Sequence, residues 1–315
     1  MTDIIAQTER LYLRPLTVDD APHFYHMNAD EEVLKYTGDN AFCSIEAAAE
    51  FLKNYPDYKV NNMGRWAVCL KDNNTFLGWC GLKFHKKDNY VEVGYRFYKK
   101  YWNKGYATES CKAAINYGFE TLKLQTIYAH AHRDNTKSQR VLLKCGLTKI
   151  DEAIYDNQPA YLYKINNPFV TITNISALET YAVRHPVLRP GRPLEDCAFV
   201  DDNAPKTFHL GIYFKQNLVG VVSFLKQTHK DFKDPSQYQL RGMAILKSFQ
   251  RLDFGKLLVQ EGEKQVNKRT GTFIWLNARE IAVPFYKKQG YTIYGDAFDI
   301  PKIGAHFTMI KSISL

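Results

Sequence analysis

The stretch Tyr101-Trp102-Asn103-Lys104-Gly105-Tyr106-Ala107-Thr108-Glu109 holds residues whose types and spacing point to chemistry. Before it lies an extended aromatic run, Val91 to Tyr98. After it comes a segment with helical spacing at Ala107, Cys111, Ala114, Ile115 and Phe119. A strand, a glycine-containing turn and a helix start together present free backbone N–H groups at the positive end of a helix dipole. Phosphate or pyrophosphate is the ligand that such a nest favours. The arrangement recurs about 150 residues later, around Gln250-Arg251-Leu252-Asp253-Phe254-Gly255.

Positioning these turns requires strands before them and helices after them. Residues 8 to 16 alternate polar and apolar and read as a first strand. Thr17-Val18-Asp19-Asp20 starts a helix that runs through Phe24, Tyr25 and Met27, and Ser44 starts a second with Glu46 in its first turn. Arg65 to Leu70, Thr75 to Phe84 and Val91 to Phe97 form a meander. Thr126 to His132 is the next strand, Asp134 to Ser138 opens a helix, and Gly146 caps it. Strands near 148–155 and 160–166 close the unit. Asn166-Asn167-Pro168 is the best boundary in the chain and divides 1–167 from 168–315. Beyond it, strands at 170–175, 208–214, 218–225, 238–245 and 272–276 accompany helices at 177–183, 250–268 and 281–288, the last capped by Gly290. Pro186 to Pro193 reads as a long irregular connection.

The two halves are an internal duplication. Trp102 placed against Gln250 sets Gly105-Tyr106-Ala107 against Asp253-Phe254-Gly255. Gly146 placed against Gly290 sets Leu142 against Tyr286.

At 315 residues the chain has room for two domains, and 45% hydrophobic with 24% charged residues is a globular profile. No apolar run approaches the roughly 20 residues needed to cross a bilayer, and the N-terminal residues do not resemble a signal peptide. A cytoplasmic protein is the expectation. The six cysteines are scattered without a CxxC pair, which fits reduced, buried side chains and no metal site. A net charge of +9 suits steering of a polyphosphate, but the basic residues are too dispersed for a nucleic-acid-binding stripe.

These motifs resemble the GCN5-related N-acetyltransferase (GNAT) superfamily twice over. TERLYLRPLTVDDA, EVGYRFYKKYWNKGYATES and RDNTKSQRVLLKCGL, in residues 8–165, are similar to the branch containing the ribosomal-protein N-terminal acetyltransferases. YQLRGMAILKSFQRLDFGKLL and WLNAREIAVPFYKKQGYTIYG, in residues 170–315, resemble a more divergent copy. The resemblance implies an α+β fold: two tandem domains, each a splayed, largely antiparallel sheet flanked by helices. It also implies transfer of an acetyl group from acetyl-CoA to a primary amine, either a peptide N-terminus or a small molecule, without a metal. A homodimer is compatible with it; membrane and nucleic-acid partners are not implied. The alternative is that only the first domain is catalytic and the second senses acyl-CoA or binds a partner.

The resemblance assigns pyrophosphate to Asn103, Lys104, Gly105, Tyr106 and Ala107, with Trp102 at the place of the family's Gln or Arg. In the second copy it assigns Gln250, Arg251, Phe254, Gly255 and Lys256. There Asp253 replaces a glycine and puts negative charge beside the phosphates. Pantetheine is implied along the backbone of Phe97 and Tyr98, and of Met243, Ala244 and Ile245, with Asn135 and Asn277 as further contacts. Amine acetylation also needs a proton acceptor and a partner for the departing thiolate. Glu92 is the expected base, Ser138 the thiolate partner of the first copy and Tyr286 the acid of the second. The loops 28–43 and 184–206 are expected to shape the acceptor pockets, with Arg184, Arg189 and Arg192 available for an acidic group.

Overall fold

A computed structural model describes residues 3–300 and 304–313. Two compact units are present, Met1–Asn167 and Pro168–Leu315. The first runs β1 (Ala6–Gln7), β2 (Leu11–Pro15), α1 (Ala21–Asn28), α2 (Glu31–Leu34), α3 (Ile45–Lys53), α4 (Asp57–Asn61), β3 (Arg65–Leu70), β4 (Phe76–His85), β5 (Tyr90–Phe97), α5 (Tyr106–Glu120), β6 (Thr126–His132), α6 (Thr136–Lys144), β7 (Thr148–Tyr155) and β8 (Gln158–Asn166). The second runs β9 (Val170–Ile175), α7 (Tyr181–Leu188), β10 (Phe208–Phe214), β11 (Asn217–Leu225), β12 (Gln237–Ile245), α8 (Phe254–Lys268), β13 (Phe273–Arg279), α9 (Val283–Lys288), β14 (Thr292–Ile300) and β15 (Gly304–Ser312).

Each unit is one mixed sheet with helices on its faces, in the strand orders β1-β2-β3-β4-β5-β6-β8-β7 and β14-β15-β13-β12-β11-β10-β9. One neighbouring pair in each is parallel. β5 and β6 are registered at one residue pair, Glu92 opposite Tyr128. β12 and β13 pair over Gln237–Gln239 with Phe273–Trp275. Beyond those points the paired strands diverge, and each gap lies beside the helix that follows the turn.

The helix after the first turn buries Cys111, Ala114, Ile115 and Phe119, the positions that its spacing predicts. Ser44 Oγ accepts the N–H of Ala47 at the start of α3, and Asn135 Oδ1 accepts that of Ser138 at the start of α6. Gly146 and Gly290, both at φ +87°, end α6 and α9 in the same left-handed cap.

Three expectations need correction. The helix expected at 177–183 is α7, displaced to Tyr181–Leu188; Ser176 and Glu179 form a capping turn ahead of it, and the helix accommodates Pro186. The short helices α2 and α4 went unassigned, being too brief for a periodic pattern. Finally, β14 and β15 extend the second sheet past Gly290. β14 is almost wholly exposed, so no buried face imprints alternation on its sequence.

Candidate active site

The two turns are built alike. Gly105 (φ +84°) and Asp253 (φ +60°) each stand just before a helix in left-handed conformation, preceded by left-handed Asn103 and Arg251, both at φ +62°. Aspartate tolerates this conformation better than most residues with a side chain. Trp102 Nε1 donates to Phe97 O at 2.9 Å, and Gln250 Nε2 donates to Ile245 O at 2.9 Å. The indole and the amide therefore make the same strut from the turn to the end of the preceding strand. This corrects the expectation for Gln250, whose side-chain donor is engaged by protein rather than directed at phosphate. Arg10 braces the first turn from below: it donates to Lys104 O at 3.1 Å, pairs with Glu109 at 2.6 Å and lies over the Tyr106 ring.

A cavity of about 580 Å³ runs from this turn along the gap between β5 and α6. Phe97, Asn103, Gly105, Tyr106, Ala107, Asn135 and Ser138 line it, together with the cations Lys35, Lys137, Arg140 and Lys144. Tyr98 and Lys104 are not among its lining. The Tyr98 hydroxyl turns to His23 of α1, and the Lys104 ammonium lies over the Tyr101 ring.

A second cavity of about 180 Å³ adjoins it and contains Glu92 and His130. Both cavities include Tyr36, Thr37, Tyr95, Arg96, Asn135 and Ser138. At this junction Tyr95 Oη lies 3.0 Å from Ser138 Oγ and donates to Ser138 O at 3.1 Å. Burial raises the Tyr95 phenol well above its ordinary pKa, so it is protonated near neutrality. The 28–43 loop enters the second cavity through Tyr36, Thr37 and Asp39, and Asp39 holds Arg96 at 2.5 Å.

Glu92 is saturated with donors. Its Oε1 receives His130 Nδ1 at 2.8 Å and the His130 N–H at 3.2 Å. Its Oε2 receives His85 Nε2 at 2.7 Å and the Tyr155 hydroxyl at 2.8 Å. Burial opposes ionisation, but the donors from His130, His85 and Tyr155 outweigh it and bring the carboxyl to about 2. Such a carboxylate orients its partners and is too weak a base to take a proton from an ammonium. Four donors on one carboxylate favour a positioning role for Glu92 over the expected one of direct base. The His130 ring stacks on Tyr155 with centroids 4.2 Å apart, and its Nε2 has no partner among the described residues. With Nδ1–H on the carboxylate, the neutral form of the ring has its lone pair at Nε2.

A family model described as "Acetyltransferase (GNAT) domain" matches residues 10–148, and one described as "Acetyltransferase (GNAT) family" matches 171–291. The chain is 34% identical over 142 residues to an uncharacterized N-acetyltransferase, YitI, of Bacillus subtilis, covering 45% of this chain and 95% of that protein. The chain belongs to the GNAT acetyltransferase family. A second Bacillus subtilis relative, the uncharacterized N-acetyltransferase YoaA, is 32% identical over 52% of this chain and 97% of its own length. Among solved structures, a GNAT-family acetyltransferase of Bacillus anthracis is similar over 52% of this chain and 99% of its own, with 27% identity and a TM-score of 0.46. By the two family matches and these N-acetyltransferase relatives, the protein is an acyltransferase with two tandem GNAT domains. Among the described residues, no helix is long and apolar enough to cross a membrane.

The second GNAT domain departs at each of these points. Counting outward from the last parallel pairs, Gln239 takes the place of Glu92 and Asn277 that of His130. The Asn277 side-chain carbonyl accepts the Thr308 hydroxyl at 3.1 Å. β12 also carries one more residue than β5 between this point and the turn, bulged at Gly242 (φ +61°). Met243 and Phe285 lie against the start of α8: a Cβ on Gly255 would sit 2.7 Å from Met243 Cε. Tyr286 is buried in the core with its hydroxyl on Met243 Sδ at 3.4 Å, and burial raises the phenol strongly. Phe254 is fully buried, so only its backbone N–H remains for a phosphate. Ala244 faces Val183 and Val221, whereas Ile245 faces the opposite core cluster. Arg251 and Lys256 make no ion pair among the described residues. Arg184 and Arg192 of the 184–206 loop are not free for an acidic acceptor, being paired with Asp202 and Asp196.

Sequence reading missed His85, His130, Tyr155 and Tyr95. One signal was available: alternation in Tyr128-Ala129-His130-Ala131-His132 carries both histidines to one face of the strand that neighbours Glu92.

Proposed function

We propose that the first GNAT domain transfers an acetyl group from acetyl-CoA to a primary amine, a peptide N-terminus or a small molecule, by direct attack, and that the second copy is not catalytic. The observation that carries this reading is the meeting of two cavities at Tyr95 and Ser138, with the glycine turn at one end and the Glu92–His130 pair at the other. Gly105 and the start of α5 suit the pyrophosphate, and Lys137, Arg140 and Lys144 suit the remaining phosphate charge.

The chemistry needs little more. His130 Nε2 takes the ammonium proton while Glu92 holds the ring and stabilises its charged form. The amine nitrogen then forms a C–N bond to the acetyl carbonyl carbon, and the C–S bond breaks. With Tyr95 donating to Ser138 O, the serine hydroxyl rests on Tyr95 Oη at 3.0 Å and rotates to give its hydrogen to the departing sulfur; its place where the two cavities meet supports Ser138 as the thiolate's hydrogen-bond partner. The second proton, shed by the nitrogen as the amide forms, goes to the thiolate, and the one on His130 leaves to solvent.

For the second domain, the replacement of Glu92 and His130 by two amides and the side chains packed in its gap both favour the non-catalytic reading. Thiol release from acetyl-CoA over a panel of amines and peptides tests the proposal. His130→Gln should lower kcat by roughly 10²–10⁴-fold. A wild-type chain that neither turns over nor binds CoA refutes it.

A further inference from the structure

In the second GNAT domain β12 and β13 separate after Gln239 and Trp275. Strand alternation then carries Gln239, Arg241, Asn277 and Arg279 to one side of the sheet. Neighbours identify that side. Arg241 is registered opposite Ser223, whose hydroxyl receives Arg184 of α7 at 2.6 Å, whereas Leu240 and Leu276 enter the core that α8 covers. The equivalent face of the first domain bears Glu92, His130 and His132. Groups that move protons have been exchanged for guanidinium and amide donors.

The charges on this face do not balance. Arg184 is consumed by Asp202, with contacts of 2.7 and 3.2 Å, both side chains being buried. Arg192 is consumed by Asp196 at 2.6 Å. Arg189, at the end of α7, reaches only the carbonyls of Leu188 and Asp196. Arg241 lies over the Phe199 ring at 4.2 Å, opposite Arg184 at 4.2 Å on the same ring. Among the described residues neither Arg241 nor Arg279 has a carboxylate partner.

These groups also feel one another. Burial lowers the pKa of Arg189, and the charges of Arg192 and Arg279 lower it further. Burial lowers that of Arg241 against the pull of Asp202, and Arg184 and Arg189 add to the lowering. Partly buried guanidinium groups without a counter-ion carry a desolvation cost that a bound anion offsets. Their planar forks suit an anion offering paired oxygens.

We infer that this face of the second GNAT domain binds a compact dianion, a phosphate monoester or a dicarboxylate, held by Arg189, Arg241 and Arg279. The site is separate from the acetyl-transfer cleft of the first domain and does not depend on that activity.

Calorimetric titration of the full chain at low ionic strength, with the Gly105 turn of the first domain already filled by excess CoA, tests it, with inorganic phosphate in one arm and succinate in the other. We expect one saturable site for at least one probe, and the probe that binds identifies the anion class. Affinity should fall at least ten-fold in Arg241→Gln and in Arg279→Gln, and stay unchanged in Arg192→Gln. No saturable binding of either probe, or equal weakening in Arg192→Gln, overturns the inference. Should the variants misfold, phenylglyoxal labelling of the wild-type chain replaces them. The bound probe should shield Arg189, Arg241 and Arg279 but not Arg192, and equal labelling with and without it is the contrary result.

Discussion

Replacing Glu92 by glutamine should change how the first domain responds to acid. The folded carboxyl titrates near 2, against an ordinary value of 4.5. A folded pKa below the unfolded one stabilises the fold above the unfolded pKa, and that stability is lost as pH falls towards the folded pKa. At about 1.4 kcal/mol per pH unit, the drop from 4.5 to about 2 corresponds to about 3 kcal/mol at neutral pH. About 2 kcal/mol of this disappears between pH 5 and pH 3, because the unfolded chain protonates there and the folded carboxylate does not. Glu92→Gln lacks this titration, so its stability should fall about 2 kcal/mol less than that of the wild type over the same interval. Of the four tryptophans, only Trp275 lies in the second domain. In a Trp275→Phe background, fluorescence-monitored guanidinium unfolding therefore reports the first domain alone. Parallel pH dependences in the two proteins would show that Glu92 is not held as an ionised hub, and the argument for His130 would fall with it.

Gly105→Ala introduces a Cβ at φ +84°, 3.3 Å from Arg10 Nη2. The strain of about 1 kcal/mol should raise KM for acetyl-CoA about five-fold with little change in kcat, read from steady-state kinetics. Trp102→Gln should leave that KM within about two-fold, because Gln250 makes the same strut in the second turn, whereas Trp102→Leu should raise it by about 1 kcal/mol in equivalent free energy. Hydrogen exchange of the full chain with CoA should show protection at 97–108 and 135–144 and none at 243–256; protection in the last segment would mean that its packed gap opens. Arg184→Met strands the buried Asp202 carboxylate and should destabilise the second domain by about 3–5 kcal/mol, measured by chemical denaturation, with Arg184→Met/Asp202→Leu recovering most of the loss.

The α+β architecture and the duplication were legible because both rest on local signals. Apolar spacing on α5, caps at Ser44 and Asn135, and glycines after α6 and α9 each act within a few residues of chain. The turn was legible for the same reason, down to the matching of Trp102 with Gln250. What could not be read was whatever depends on segments distant in sequence. Glu92 looked like a base because its type and strand position suit one. Its actual condition is set by His85, His130 and Tyr155 from three different strands, and no spacing rule joins those. Arg184, Arg189 and Arg192 looked equivalent within one irregular loop. Asp202 and Asp196 remove two of them, while β12 and β13 add Arg241 and Arg279 from about 50 to 95 residues away.

The single rung joining β5 to β6, Glu92 opposite Tyr128, has a mechanical consequence. The two strands form a wedge, and the Glu92–His130 pair sits near its fulcrum. Phe97 lies five residues up the wedge, roughly 16 Å from the rung, whereas His130 lies only about 7 Å from it. Each 10° of splay therefore moves the tip by about 3 Å and the level of His130 by about 1 Å. The open end can yield to a long, jointed ligand while the geometry of the Glu92–His130 pair stays nearly still. In the second domain the corresponding arm is interrupted by the bulge at Gly242, which takes up bending before it reaches the tip.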